Sequence, residues 1–297
     1  MRVDPFYIVN LSGALDQTQS TQQQLTNQIS SGLGVNTIGQ NPVAAAQNVQ
    51  LLNEIQTEDS FTQTSSLSQG MLQVADSALG SVVTQLNQAI SLATQGTNGT
   101  LNSSDLKSIS NQIAGIRDEV ISLANTSYQG QYLFSGSQTG SIPFSLNSGT
   151  SPATVTYNGD SNVSVLQTPS GQSIQLNLPG NQVFSSPSGD VLGALNNLVA
   201  DFASGNGNGA PTDLANLNTA LNFLDQQRVT LDNSISRLTD ASSAATAEST
   251  QLLNVQTNLM QADIPAVSTQ LSLTESQQTA LINVIAALGS GSLFDKL

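Results

Sequence analysis

The stretch LANLNTALNFLDQQRVTLDNSISRL, residues 214–238, repeats apolar residues at alternating spacings of three and four. The spacing continues as far as Leu259, with Ala245 and several polar residues at repeat positions. Because an α-helix has 3.6 residues per turn, this spacing places all repeat positions on one face. The pattern predicts one long helix of the coiled-coil type, beginning near Pro211 with Thr212 as its N-cap.

Two segments in the first half of the chain carry the same spacing. One covers residues 67–93, and we expect it to continue a helix opened by the Asn-Pro pair at 41–42. The other covers residues 106–123, where one of the serines at 103–104 can serve as the N-cap. The sequence therefore predicts several long helices with one apolar face each.

The two chain ends repeat the pattern, and each stripe has two polar residues at its centre. If the end helices are antiparallel with residue n opposite residue 296 − n, Thr18 faces Gln278 and Gln22 faces Thr274. A buried polar group costs free energy without a partner, so matched polar layers would fix this register. An equally good interpretation is that both stripes face a core shared by several subunits. In either case the predicted assembly interface consists of Ile8, Leu11, Leu15, Leu25, Ile29, Val267, Leu271, Leu281, Ile285 and Leu288.

The middle of the chain, residues 136–188, is rich in turn signals and interrupts the helical pattern. Short alternating runs predict strands at 153–157, 162–167 and 173–178. A short helix is expected within 188–205, followed by a glycine-rich linker at 205–211. The fold class predicted is mainly α with a β insertion: a long antiparallel coiled-coil bundle formed by both chain ends, plus a small antiparallel β domain.

Three nested domains follow from this order of segments. Residues 1–40 with 263–297 form a terminal coiled-coil domain, and residues 41–135 with 189–262 form a helical bundle. Residues 136–188 form the β-rich insertion.

The stretch GQYLFSGSQT, residues 130–139, lies where the bundle meets the insertion. We expect the preceding helix to continue to about Tyr128 and to end at Gly130, because glycine commonly follows the last helical turn. Tyr132, Leu133 and Phe134 are then expected to cover the end of the bundle and to anchor the first strand.

Composition limits the chemistry that this chain can perform. It has no Cys and no His, which excludes the usual zinc sites and Cys or Ser–His nucleophiles. Asp201, Asp213 and Asp225 recur at intervals of twelve, on loosely related helix faces, and we expect no shared site. We therefore expect no catalytic, cofactor-binding or metal-binding residues and no cofactor.

Charge and hydropathy limit the partners. The net charge is −14, and the six basic residues are scattered, so neither nucleic acid nor an anionic membrane is an expected partner. The N-terminal segment contains Asp4 and Pro5 without a long apolar run, so we expect no cleavable signal peptide. No stretch reaches the roughly 18 apolar residues of a membrane helix.

Three segments resemble the flagellin-like family of bacterial flagellar proteins. Residues 27–51, NQISSGLGVNTIGQNPVAAAQNVQL, resemble its N-terminal segment, and residues 86–136 resemble its inner helix–turn–helix. The helix exit GQYLFSGSQTGSIPF (130–144) and the ending SGSLFDKL (290–297) are similar to the hook–filament junction proteins of this family rather than to flagellins.

The resemblance implies a structural role and no enzymatic activity. Members are secreted by type III export and assemble helically with copies of themselves, and their termini are disordered in the monomer and fold on assembly. The implied partners are another hook-associated protein on the hook side, flagellin on the filament side and an export chaperone for the C-terminal helix. The implied location is extracellular, at the hook–filament junction of the flagellum, where the protein serves motility.

The alternatives are flagellin itself and a secreted coiled-coil adhesin or effector. An enzyme within the β insertion is disfavoured by the missing His and Cys.

Overall fold

A computed structural model describes residues 5–35, 39, 41–150 and 152–290, with side chains from Val9 to Ala287. In this part of the chain the helices are α1 (Pro5–Ser31), α2 (Pro42–Gly96), α3 (Ser103–Ala124), α4 (Gly180–Val183), α5 (Val191–Ala203), α6 (Ala210–Met260) and α7 (Ile264–Ser290). The strands are β1 (Ser127–Tyr128), β2 (Gln131–Tyr132), β3 (Phe144–Asn147), β4 (Thr154–Tyr157), β5 (Val165–Gln167) and β6 (Ser173–Gln175).

The chain divides into two compact units. One unit contains both chain ends, Met1–Thr57 and Ala247–Leu297, and the other contains Glu58–Thr246. The predicted fold class is confirmed, because the protein is mainly helical, both ends contribute helices to one unit, and the strands lie between α3 and α5. The three-domain division drawn from the sequence stays a prediction.

The helical stripes are the covered faces of the helices. Every repeat position of α6 from Leu214 to Leu259 is buried or half-buried. The stripe of α3 is likewise covered, from Leu106 to Leu123. On α2 the predicted repeat positions are covered from Met71 onward, whereas Leu67 is exposed. In the larger unit, Asp76 of α2 and Arg228 of α6 form an ion pair with an O–N distance of 2.9 Å.

The helix ends differ in part from the predicted ones. Asn41 caps α2 as expected, since its Oδ1 accepts a hydrogen bond from the Ala44 N–H at 3.0 Å. The predicted serine caps of α3 are wrong: Asn102 is the N-cap, and its side chain accepts from the next helical N–H groups. Thr212 is not the N-cap of α6, because the helix already begins at Ala210.

The exit from α3 is a tight hairpin rather than a longer helix. The prediction that the helix continues to about Tyr128 is wrong, because α3 ends at Ala124. Strands β1 and β2 follow, and the turn between them consists of Gln129 and Gly130, with φ of 50° and 81°. Two successive left-handed residues are typical of a type I′ hairpin turn, so Gly130 reverses a strand instead of ending a helix.

The three sheets are antiparallel and have two strands each. An aromatic cluster packs beside β3 and β4: the ring of Phe184 lies 5.2 Å from that of Phe134 and 5.5 Å from that of Phe144, edge to face in both cases. Tyr157, opposite Phe144 in the sheet, adds a ring at 5.0 Å. The cluster needs glycine at 180, because a Cβ there would lie 2.7 Å from the Phe134 carbonyl oxygen and from the Phe144 ring. Phe134 is buried in this cluster, and the anchoring of the first strand by Tyr132, Leu133 and Phe134 stays a prediction.

Candidate assembly surface

The unit that holds the chain ends is closed at one end by backbone hydrogen bonds. Leu33, just after α1, and Gln261, just before α7, form an antiparallel bridge. The Gly34 N–H donates to the Met260 carbonyl at 2.6 Å. Gly32 has φ of 71°, in the left-handed region that glycine adopts without strain, and this lets the chain turn out of α1 into the bridge.

Helices α1 and α7 pack against each other, and the bridge makes them antiparallel, because it joins the end of one to the start of the other. The bridged residues lie outside both helices, so the bridge gives the relative direction of α1 and α7 but does not measure the register predicted for their side chains. Which side chains face each other stays a prediction.

The stripe predicted on each end helix is the side that this packing covers. Leu25 is buried, and the half-buried residues are Leu11, Leu15, Ile29, Val267, Leu271, Leu281 and Ile285. Ile8 and Leu288 lie within α1 and α7, but their side chains fall outside the described ones. The packing brings the other residues of the predicted interface into one helix pair, and their use in assembly stays a prediction.

The hydroxyl groups of the two threonines in the polar layers form hydrogen bonds within their own helices. Thr18 donates to the Ala14 carbonyl at 2.7 Å, and the buried Thr274 donates to the Gln270 carbonyl at 2.8 Å. Such back-bonding is a usual way for threonine to occupy a helix interior. A cross-helix bond is therefore not needed to satisfy these hydroxyls, and the role of the layers in fixing the register stays a prediction.

A second apolar face of α7 was missed from the sequence. Leu273 and Val284 are 57% and 41% exposed, and Ile264 and Ile282 are 37% and 49% exposed. At 100° per residue Leu273 and Val284 lie within about 20° of each other, whereas Ile264 and Ile282 lie about 180° from Leu273, close to Leu271 of the covered stripe. We call Ala266, Leu273, Ala280 and Val284 the outer face of α7. The spacing of these residues is visible in the sequence, but the more regular repeat from Val267 to Ile285, which we call the inner stripe, was the one recognised as a helix face.

The helix pair is almost without charge. Asp16 is the one charged residue within α1, and Glu275 is the one within α7. The remaining polar side chains are mostly amides and hydroxyls. Surfaces of this kind can be covered by a partner without the large cost of taking charges out of water.

Among the described residues of this unit, a cavity next to the bridge has apolar and amide groups in its lining and no titratable side chain. The cavity, of about 400 Å³, is lined by Gly32, Leu33, Asn48, Gln256, Thr257, Met260 and Gln261. Its amides bond to each other, since Gln256 donates to Asn48 at 2.8 Å. Across the described part of the chain, no group of three or more acidic, Cys or His residues could hold a metal ion. No described helix is long and apolar enough to cross a membrane.

The larger unit contains a pair of carboxyl groups that the sequence interpretation had separated. Asp201, in the last turn of α5, lies within hydrogen-bonding reach of Asp213, in the first turn of α6. Burial, followed by the hydrogen bond to Asp213 and its charge, raises the pKa of the Asp201 carboxyl. The spacing of twelve residues did not indicate this contact, which arises because the chain folds back between α5 and α6, and the expectation that these residues form no catalytic or metal site stays a prediction.

This architecture, a helical bundle with both chain ends in one unit and a small β insertion, is the fold of flagellar hook-associated proteins. A Vibrio parahaemolyticus protein assigned to that group superimposes with a TM-score of 0.66 at 18% identity, over 75% of this chain and 100% of that one. Hook-associated protein-3 from Legionella pneumophila superimposes with a TM-score of 0.63 at 14% identity, over 72% and 98%.

The sequence is similar to one protein of this group in particular. Flagellar hook-associated protein 3 of Salmonella typhimurium is 30% identical over 182 residues, which are 61% of this chain and 55% of the relative. The chain thus spans about half the length of the curated relative that it matches. Residues 8–139 also match the bacterial flagellin N-terminal helical region. The resemblance to the junction proteins is confirmed.

Proposed function

We propose that this chain is a structural component of the bacterial flagellum, a junction protein that joins the hook side to the flagellin filament by helical self-assembly. The observation that carries the proposal is the outer face of α7, an apolar surface that packing among the described residues leaves exposed, on a helix that contains one charged residue. The similarity to hook-associated protein 3 supports the flagellum as the site of assembly.

Helices α1 and α7 should become more stable when another subunit covers them. Most of the inner stripe is only half-buried in the α1–α7 pair. Helices gain most of their stability from burying a face, so this pair alone is weakly supported. We expect residues 1–40 and 263–297 to fold as the terminal domain on assembly, when the outer face of α7 contacts a second copy. A contact between two different surfaces repeats without closing, and this gives a ring-like or helical layer.

The partners and location follow from the same proposal. The chain contacts another hook-associated protein on the hook side and flagellin on the filament side. An export chaperone holds the C-terminal helix before secretion through the type III apparatus, and the assembled protein is extracellular. It acts as a connector without enzymatic activity, cofactor, nucleic acid or membrane partner.

Electron microscopy of a deletion strain tests the proposal. We expect hooks without stable filaments, and wild-type chain supplied in trans should restore the filaments. Normal flagella after deletion would instead indicate an adhesin or effector, and immunogold labelling along whole filaments would indicate flagellin.

Substitutions on α7 test the surface itself. Leu273→Asp with Val284→Asp places two charges on the outer face, and we expect complementation to fail while helical circular dichroism is kept. Thr279→Asp, which adds a charge to another exposed side of the same helix, is the control and should complement. Equal complementation by both variants would rule out the outer face as the contact.

A further inference from the structure

The corner between α5 and α6 is tight and depends on glycine. Gly205 and Gly207 have φ of 79° and 61°, in the region that other residues adopt only with strain. The turn brings the last turn of α5 next to the first turn of α6. Asn197, one turn before Asp201 on α5, lies 3.4 Å from the Oδ1 of Asp213, and the Oδ2 of Asp201 lies beside Gly209, so the two carboxyl groups approach each other inside the corner.

The hydrogen bonds around this pair do not satisfy two ionised carboxylates. Asp213 is only 9% exposed, and its Oδ1 accepts long bonds from Asn197 at 3.4 Å and Asn216 at 3.5 Å. The Oδ2 of Asp201 is buried against the backbone of Gly209 and has no hydrogen-bond partner. An ionised carboxylate only accepts, so two of them cannot bond to each other, and a buried acceptor without a donor is costly.

We infer that one proton is shared by Asp201 and Asp213 and that it holds the corner between α5 and α6 closed. The proton belongs mainly to Asp201, which lies near the negative end of the α5 dipole, whereas Asp213 lies near the positive end of the α6 dipole. The protonated Asp201 donates to the Asp213 carboxylate and provides the missing donor. In mild acid the shared proton keeps the corner between α5 and α6 closed, and the corner loosens when the proton dissociates.

The surrounding charges do not supply an alternative donor. The start of α3 contacts the corner through Ser103 and carries Asp105 and Lys107, which have opposite charges. Further along α3, Arg117 bonds to Asp118 and Asn196. The last turn of α2, which contacts α5, has no charged residue, and the next charge on α6 is Asp225, three turns beyond Asp213.

The direction of the pH effect follows from linkage. Burial and Asp213 raise the pKa of Asp201 above its unfolded value of about 3.9. The stabilisation is complete below that value and is lost as pH rises through the folded pKa. Other carboxyl groups titrate in the same range, so the difference between the wild type and Asp201→Asn isolates this pair.

Thermal unfolding of the full chain between pH 4 and pH 8 tests the inference. The amide of Asp201→Asn is a permanent donor, so its midpoint should exceed the wild-type midpoint by about 2–4 °C at pH 8, the shift that one added hydrogen bond gives in a unit of this size. The difference should shrink steadily as pH falls towards 4. Asp240→Asn, at an exposed position on α6, is the control for the removal of one carboxylate from the same helix.

Three results would overturn the inference. One is a wild-type to Asp201→Asn difference that does not change with pH. Another is a ¹³C carboxyl titration in which the pKa of Asp201 is ordinary, or in which Asp213→Asn leaves a raised pKa unchanged. The third is a rise of the wild-type midpoint on adding Ca²⁺ at pH 8 that Asp201→Asn abolishes, because the pair would then bind a cation.

Discussion

Replacement of Phe184 by alanine should destabilise the larger unit more than any surface change. Phe184 is fully buried and packs edge to face on both Phe134 and Phe144. Removing a buried phenyl ring costs about 3–5 kcal/mol, and with two ring partners lost we expect the upper half of that range. Since domains are stable by only about 5–15 kcal/mol, the variant should lose a large share of its stability.

The assay is thermal and urea unfolding followed by circular dichroism. For a unit of this size, a loss of about 4 kcal/mol lowers the midpoint by roughly 8–16 °C. The near-ultraviolet tyrosine signal should fall as well, because Tyr157 packs on the same cluster. Val229→Ala, at a position that is 64% exposed in the same unit, is the control and should stay within about 0.5 kcal/mol of the wild type. A loss below about 1 kcal/mol for Phe184→Ala would refute the assignment of the cluster as a core.

Three further changes have defined outcomes. Asn102→Ala removes the N-cap of α3 and should cost about 1 kcal/mol, with faster hydrogen exchange in the first turn; unchanged exchange would contradict the cap. The pKa of Asp160 is lowered, mainly by the hydroxyl of Ser137, so Asp160→Asn should destabilise the chain at neutral pH. Because this stabilisation is lost as pH falls through the folded pKa, the two unfolding midpoints should converge below about pH 4. Gly180→Ala forces a methyl group against the Phe144 ring and should cost about 1–3 kcal/mol in urea unfolding; a neutral variant would show that the contact relaxes freely.

The long helices could be predicted because their signal is local and repeated. A stripe such as that of α6 recurs over many turns, so single polar positions do not hide it. The end helices were predictable for the same reason, and Leu11 and Leu271 indeed lie on covered sides. The outer face of α7 was visible in principle, because Leu273 and Val284 are eleven residues apart, close to three helical turns.

The remaining features depend on contacts that no local pattern shows. The role of Phe184 comes from rings forty or more residues away in sequence, and the approach of Asp201 to Asp213 needs a corner only a few residues long. The end of α3 was misplaced because Gly130 is an equally good signal for a helix end and for a hairpin turn, and the left-handed Gln129 decides between them.

The scarcity of charge on α1 and α7 has a kinetic consequence. Electrostatic steering can raise association rates by orders of magnitude, but only where partners carry opposite fields. With Asp16 and Glu275 as the charged residues within the two helices, the pair itself offers little electrostatic steering between copies. The net charge of −14 makes two copies repel each other, so growth should depend on how concentrated the subunits are where they emerge and should speed up as salt screens the repulsion.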